Sequence, residues 1–244
     1  MKIFGLIGYP LSHSRSAEYF SVLVKNPEYS YRLFPLKDIQ DIKQLIYQNP
    51  GLVGLNVTIP YKEKIIPYLD ELDPGSRKIG AVNTIRISRK DNIVHLKGFN
   101  TDAYGFAESL KPLLEKQHQK ALIFGDGGAA KAVKYVLKQL DIPYEVVVRK
   151  HSPNTLHYDE VTKDILDEYK LLINTTPLGM SPNLESSVPI PYQHLTNQHL
   201  AYDLVYNPEE TVFLSKAKEQ RAKIKNGLEM LYLQAERSWY IWNA

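Results

Sequence analysis

Four short clusters between residues 12 and 102 concentrate polar chemistry. They are Ser12-His13-Ser14-Arg15-Ser16, Asn56-Val57-Thr58-Ile59-Pro60-Tyr61-Lys62, Ala81-Val82-Asn83-Thr84 and Asn100-Thr101-Asp102. Hydroxyls, amides, one ammonium and one carboxylate at strand ends have the donors and acceptors to bind a polyhydroxylated carboxylic acid. Each cluster alone has a plain structural reading. Ser14 or Ser16 could cap a helix, Asn83 could sit in a turn, and Asp102 could be a helix cap.

A fifth cluster narrows the chemistry. Phe124-Gly125-Asp126-Gly127-Gly128-Ala129-Ala130 follows the apolar run Ala121 to Phe124 and opens a helical pattern. Gly125, Gly127 and Ala130 fit the dinucleotide fingerprint: a tight turn, a close approach of backbone to a diphosphate, and a small residue where helix meets strand. The helix N-terminus would present free N–H groups to the phosphates. A tight strand-to-helix turn without a ligand is the other reading. Asp126 is an unfavourable charge beside a diphosphate unless its side chain points away. The next strand ends in Val148-Arg149-Lys150, where an NAD site would carry an acidic residue for the ribose 2′-hydroxyl. A basic strand end suits a 2′-phosphate, so NADP is the expected cofactor; two solvated loop cations are the alternative.

These residues need elements to position them. Periodicity predicts strands at 2–7, 31–34 and 52–59, helices at 16–25 and 38–48, and a hairpin from 79–87 and 93–96. A second unit opens near Thr101 with a helix, then strands at 121–124, 144–148, 171–173 and 200–205 alternating with helices at 131–140, 164–169 and 209–219. A long helix over 227–242 ends the chain. Alternation of this kind implies parallel sheets with helices on their faces. The 244 residues suffice for two modest domains, at 43% hydrophobic and 23% charged. We expect two α/β domains around a cleft: a substrate domain with a mainly parallel sheet over 1–100, completed by 228–244, and a Rossmann-type domain over 101–227.

Composition excludes several classes. With no cysteine there is no disulfide, thiolate nucleophile or cysteine-ligated zinc, and no metal site is expected. Thirty Lys and Arg against 27 Asp and Glu leave +3, too balanced for a generic nucleic-acid binder. No run of 18 apolar residues and no signal-peptide pattern occurs, so the expectation is a soluble cytoplasmic protein with no membrane partner.

In order along the chain, the motifs resemble those of the shikimate dehydrogenase family. The likeness runs from Gly8 to Trp242: Gly8-Tyr9-Pro10-Leu11-Ser12-His13-Ser14-Arg15-Ser16, the lysine motif Asn56 to Lys62, Gly80-Ala81-Val82-Asn83-Thr84, Gly98-Phe99-Asn100-Thr101-Asp102, and the glycine turn. Asn174-Thr175-Thr176-Pro177-Leu178-Gly179-Met180, Asp203-Leu204-Val205-Tyr206-Asn207-Pro208 and Asn226-Gly227-Leu228-Glu229-Met230-Leu231 with Gln234 complete it. The resemblance implies NADP-dependent interconversion of 3-dehydroshikimate and shikimate, on the route through chorismate to aromatic amino acids; whether as a monomer or a homodimer stays open. It implies that Ser14 and Ser16 hold the substrate carboxylate, and that Thr58, Asn83, Asp102 and Gln234 contact ring hydroxyls with Tyr206 nearby. Lys62 and Asp102 would be the catalytic pair. Gly125, Asp126, Gly127, Gly128, Ala129, Ala130, Arg149 and Lys150, with Thr175, Thr176 and Leu204, would hold NADP, and Gly227 and Met230 would flank the nicotinamide.

Four positions depart from the family pattern: Ala17 for a proline, Phe20 for a histidine, Val148 for an asparagine and Arg221 for a glycine. Two rival readings stand beside the main one. One is a quinate/shikimate dehydrogenase using NAD, against which Arg149-Lys150 and Ser16 argue. The other is a non-catalytic NADP- or metabolite-binding regulator, against which Lys62 and Asp102 argue.

Overall fold

A computed structural model describes residues 1–11, 18–20, 27–91, 93–150 and 152–244. The predicted helix at 16–25 therefore falls largely outside the described residues, as do Ser14 and Ser16. The chain forms two compact units, one of residues 1–105 with 231–244 and one of residues 106–230.

In the first unit the alternation of apolar residues produces a six-stranded sheet in the order β2-β1-β3-β5-β6-β4. Its strands are β1 (Lys2–Gly8), β2 (Tyr29–Pro35), β3 (Leu52–Val57), β4 (Glu71–Leu72), β5 (Thr84–Lys90) and β6 (Ile93–Phe99). β1 pairs in parallel with β2 and β3, and β4 with β6, whereas β5 runs antiparallel to β3 and β6. One core gathers Ile7, Ile42, Leu52, Leu55, Ile65 and Ile85. A second, aromatic core joins Phe4, Phe20, Trp239 and Trp242, with the Phe20 ring stacked on Tyr31 at 4.4 Å. Trp242 Nε1 donates to the Ile85 carbonyl at 3.0 Å, which ties the C-terminal helix Leu228–Asn243 to β5.

The predicted hairpin needs correcting at its start. Residues 79–83 are not strand: a helix occupies Pro74–Ile79 and β5 begins at Thr84. Asp73 caps that helix through the N–H groups of Gly75 and Ser76, Pro74 stands in its first turn, and Gly80 ends it at φ +70°. These are strong boundary signals, and they outweigh the apolar run Ile79 to Val82.

The second unit holds a wholly parallel sheet in the order β12-β11-β10-β7-β8-β9. The strands are β7 (Ala121–Phe124), β8 (Tyr144–Val148), β9 (Leu156–His157), β10 (Leu171–Asn174), β11 (Leu200–Asp203) and β12 (Lys223–Lys225). Counted within the unit, this is the 3-2-1-4-5-6 order of a dinucleotide-binding sheet, whose direction of travel reverses between β7 and β10. Its strands are buried throughout β7, β10 and β11, as expected for parallel strands covered on both faces.

Candidate active site

In the first unit, register brings the three polar clusters among the described residues to one edge of the sheet. Asn56 on β3 pairs with Thr84 on β5, and Thr84 with Phe99 on β6. Asn83 and the Asn100-Thr101-Asp102 turn therefore leave adjacent strands side by side. Asn100 accepts from the Ala103 N–H at 3.1 Å, so it caps the helix Asp102–Leu110 and aims the Asp102 side chain from its first turn. Across the site, the Val82 N–H donates to the Lys62 carbonyl at 2.7 Å and fixes the backbone from which the lysine extends.

The result is an ion pair inside a hydrogen-bonded shell. Lys62 Nζ lies 2.7 Å from Asp102 Oδ2, with the lysine side chain 20% exposed and the aspartate 9%. Asn83 Nδ2 donates to Asp102 Oδ1 and to Thr101 Oγ1, each at 2.9 Å, and approaches Gln234 Oε1 at 3.3 Å. Thr101 N–H donates to Asn83 Oδ1 at 2.7 Å. Both carboxylate oxygens of Asp102 are thus engaged while Lys62 retains further protons to donate, because an ammonium has three and the pair uses one. Thr58 follows β3 directly, its N–H bonded to the Ile7 carbonyl at 2.9 Å and its own carbonyl accepting from Tyr61 N–H at 2.9 Å.

Beneath this pair runs a layer that the motif reading left without a role. Asn56 accepts from the Tyr31 hydroxyl at 2.9 Å and donates to Ser238 Oγ at 3.1 Å. Ser238 also meets Thr84 and Thr101 at 2.8 and 3.1 Å and donates to the Gln234 carbonyl at 2.9 Å. Asn56, Asn83, Thr84, Thr101 and Ser238 are all buried. Buried polar groups are costly unless partnered; here each is, which makes the layer a rigid floor for Asn83 and Asp102. Helical spacing from Gln234 was the available signal for Ser238.

The second unit assembles the predicted cofactor residues at the carboxyl ends of its central strands. Phe124, Asn174, Asp203 and Val147 stand in register on neighbouring strands, so Gly125, Thr175, Leu204 and Val148 emerge along one edge. Arg149 and Lys150 follow, both exposed. Gly125 adopts φ +97°, and a Cβ there would meet Thr176 Cγ2 at 2.8 Å, so the turn admits only glycine. A Cβ on Gly127 would meet nothing within 4 Å, and Gly127 caps the helix Gly128–Gln139 with no side-chain cap bond. Helix N–H groups without a side-chain cap are what a diphosphate requires, and the residues present fit that group. Thr175 anchors its loop by donating from both N–H and hydroxyl to the Phe124 carbonyl, at 3.0 and 2.8 Å. Thr176 donates its hydroxyl to Asn174 Oδ1 at 2.6 Å. At Gly227 the Leu204 carbonyl oxygen would sit 2.2 Å from a Cβ, so no side chain can enter where the turn before the last helix passes the segment that follows β11. Met230 on that helix is buried, Tyr206 half-buried.

Asp203 holds this edge together. Its Oδ1 accepts from Asn174 Nδ2 and Val205 N–H, each at 2.9 Å, and its Oδ2 from the Thr211 hydroxyl at 2.6 Å. Burial pushes its carboxyl up to about 6, against the downward pull of those bonds. Among the described residues no cluster of His, Asp or Glu could hold a metal ion, and no helix is long and apolar enough to cross a membrane.

A family model for the shikimate dehydrogenase substrate binding domain matches residues 6–85. The shikimate dehydrogenase (NADP(+)) of Desulforamulus reducens is 33% identical over 267 residues, spanning 99% of this chain and 89% of that protein. The structure of shikimate 5-dehydrogenase from Thermus thermophilus, in complex with NADP(H) and shikimate, is 31% identical with a TM-score of 0.83, over 99% of this chain and 93% of that one. Quinate dehydrogenase from Corynebacterium glutamicum, in complex with NAD, superposes with a TM-score of 0.85 over 99% of this chain and 93% of that one, at the lower identity of 26%. By its sequence over nearly its whole length, this chain belongs to the shikimate dehydrogenase family.

Proposed function

We propose that this protein catalyses the reversible NADPH-dependent reduction of 3-dehydroshikimate to shikimate. The observation that carries the reading is the Lys62–Asp102 pair, held at 2.7 Å by Asn83 and Thr101 at the edge of the first sheet. The nicotinamide supplies the hydride when bound. Reducing a ketone builds negative charge on its oxygen, and Lys62 Nζ stabilises that charge and donates a proton to the oxygen; in the oxidation it takes the proton back. Asp102 accepts from Lys62 through Oδ2 and from Asn83 through Oδ1, so it holds the ammonium in position and has no oxygen left idle. Asn83, Thr58 and Gln234 offer donors and acceptors for ring hydroxyls, Tyr206 is assigned to the same substrate, and Ser14 and Ser16 to its carboxylate.

The same reading assigns substrate binding to residues 1–100 with 228–244 and NADP binding to 101–227. Gly125 to Ala130, Thr175, Thr176 and Leu204 would line the diphosphate and ribose, with Gly227 and Met230 at the nicotinamide. Arg149 and Lys150 favour a 2′-phosphate over a bare hydroxyl, because a guanidinium grips two oxygens of a dianion at once. A cytoplasmic enzyme of aromatic amino acid biosynthesis, monomeric or homodimeric, completes the proposal.

Nicotinamide absorbance tests it with shikimate and quinate against NADP and NAD. We expect kcat/KM for shikimate to exceed that for quinate by ~100-fold or more, since quinate carries an extra hydroxyl that a fitted polar pocket leaves unpaired. Comparable quinate turnover with NAD would favour the quinate reading, and no turnover of either would favour a binding protein.

A further inference from the structure

Asp126 is an anomaly in a turn meant for an anion. It stands between Gly125 and Gly127, ahead of a 12-residue helix whose N-terminus attracts negative charge. A carboxylate at the cap position itself would bond the first helix N–H groups. Asp126 stands one residue earlier, and the cap, Gly127, has no side chain with which to do so. The Asp126 carboxylate instead forms an ion pair with Lys134, which reaches back from the second turn of the helix with its side chain 24% exposed. That direction is natural for a long side chain, since Cα–Cβ bonds tilt toward the helix N-terminus.

We propose that Lys134 is a positioning residue for the cofactor-binding turn: by holding the Asp126 carboxylate it neutralises the acid and keeps it off the helix N–H groups that would bind the NADP diphosphate. The proposal rests on reading this turn as the NADP site. The pair contributes little to stability, as an exposed ion pair. Its consequence lies in what an approaching anion meets, which is a neutral pair beside open N–H donors rather than a bare carboxylate.

The two partners are therefore expected to act with opposite sign. Lys134→Met exposes the carboxylate and should raise the Kd for NADP⁺ about three- to tenfold, the scale of one unpaired charge near a diphosphate at a partly solvated site. Asp126→Asn removes the repulsion and frees the ammonium, so Kd should fall by about the same factor. The double variant should return near wild type. Calorimetric titration of the whole protein with NADP⁺ reads all three without turnover. Lys138→Met, an exposed lysine one turn further along the same helix, makes the same change in net charge and should leave Kd unchanged. Adenosine 2′-monophosphate, which lacks the diphosphate, should bind all variants alike.

Equal weakening in Lys134→Met and in the double variant would overturn the proposal, since Lys134 would then grip the cofactor itself. Weakening in both single variants would also overturn it, as the mark of a merely structural pair. If wild type binds NADP⁺ and no variant differs, this inference alone fails. If wild type binds no NADP⁺, the site reading fails and takes the inference with it.

Discussion

At the scale of single residues, the proposed chemistry rests on one ammonium whose surroundings leave it little freedom. Lys62 is anchored at its carbonyl by Val82 and at its Nζ by Asp102. Lys62→Ala should lower kcat by roughly 10²–10⁴, the usual worth of a positioned proton-transfer group. KM for shikimate should change little, because the lysine acts on charge that appears in the transition state. Steady-state kinetics in both directions measure this; activity within a few-fold of wild type would remove Lys62 from the mechanism. The neighbouring departures from the family pattern are less consequential. Phe20, where a histidine is frequent, is fully buried in the aromatic core against Tyr31 and Trp242, so its role is packing.

At the scale of elements, strand ends and helix starts do the positioning. Thr175, Leu204 and Gly125 share an edge only because β7, β10 and β11 are in parallel register. The other end of this sheet contains a local strain. Arg221, where the family favours glycine, lies at φ +66° between the helix Val212–Glu219 and β12. A left-handed conformation costs a residue with a Cβ about 1–2 kcal/mol, while glycine loses about 0.5–1 kcal/mol more entropy on folding. Arg221→Gly should therefore stabilise the protein by about 0.5–1 kcal/mol and raise Tm by about 2 °C. Differential scanning calorimetry would show it, and a lower Tm would mean that Arg221 makes compensating contacts. Its exposed side chain predicts unchanged kcat.

At the scale of the whole molecule, each unit carries its own core, and the least expected feature of the second is a buried acid. Asp203 is fully buried with its carboxyl raised from 3.8 to about 6. The folded protein then binds this proton more tightly than the unfolded chain does. The resulting stabilisation is fully present below about pH 3.8 and is lost as pH rises through about 6. A rise of that size corresponds to about 3 kcal/mol in all, of which about 2 kcal/mol falls between pH 4.5 and 7. His118 and His199 are shifted downward by burial and act in the opposite sense, losing their contribution as pH falls through the ordinary histidine range. The clean measurement is therefore a difference. Asp203→Asn should remove about 2 kcal/mol from the pH 4.5-to-7 change in unfolding free energy, read from urea curves. An identical pH dependence in variant and wild type would refute it.

Much of this protein was legible along the chain. The apolar runs at β1, β3, β7, β10 and β11, the glycine turn and the basic strand end after β8 are local patterns, and local patterns survive in one dimension. So are the caps of the helix Pro74–Ile79, which Asp73, Pro74 and Gly80 announced and the apolar run Ile79 to Val82 obscured. What only the tertiary structure decided is partnership. Lys62 and Asp102 are 40 residues apart, Asn56 and Ser238 182, and nothing in either segment specifies the other; sheet register and the docking of Trp242 bring them together. The direction of the Asp126 side chain was likewise undetermined until Lys134 was placed beside it. Hydrogen bonds and ion pairs act over a few ångströms, so they belong to the folded neighbourhood and not to the order of residues that builds it.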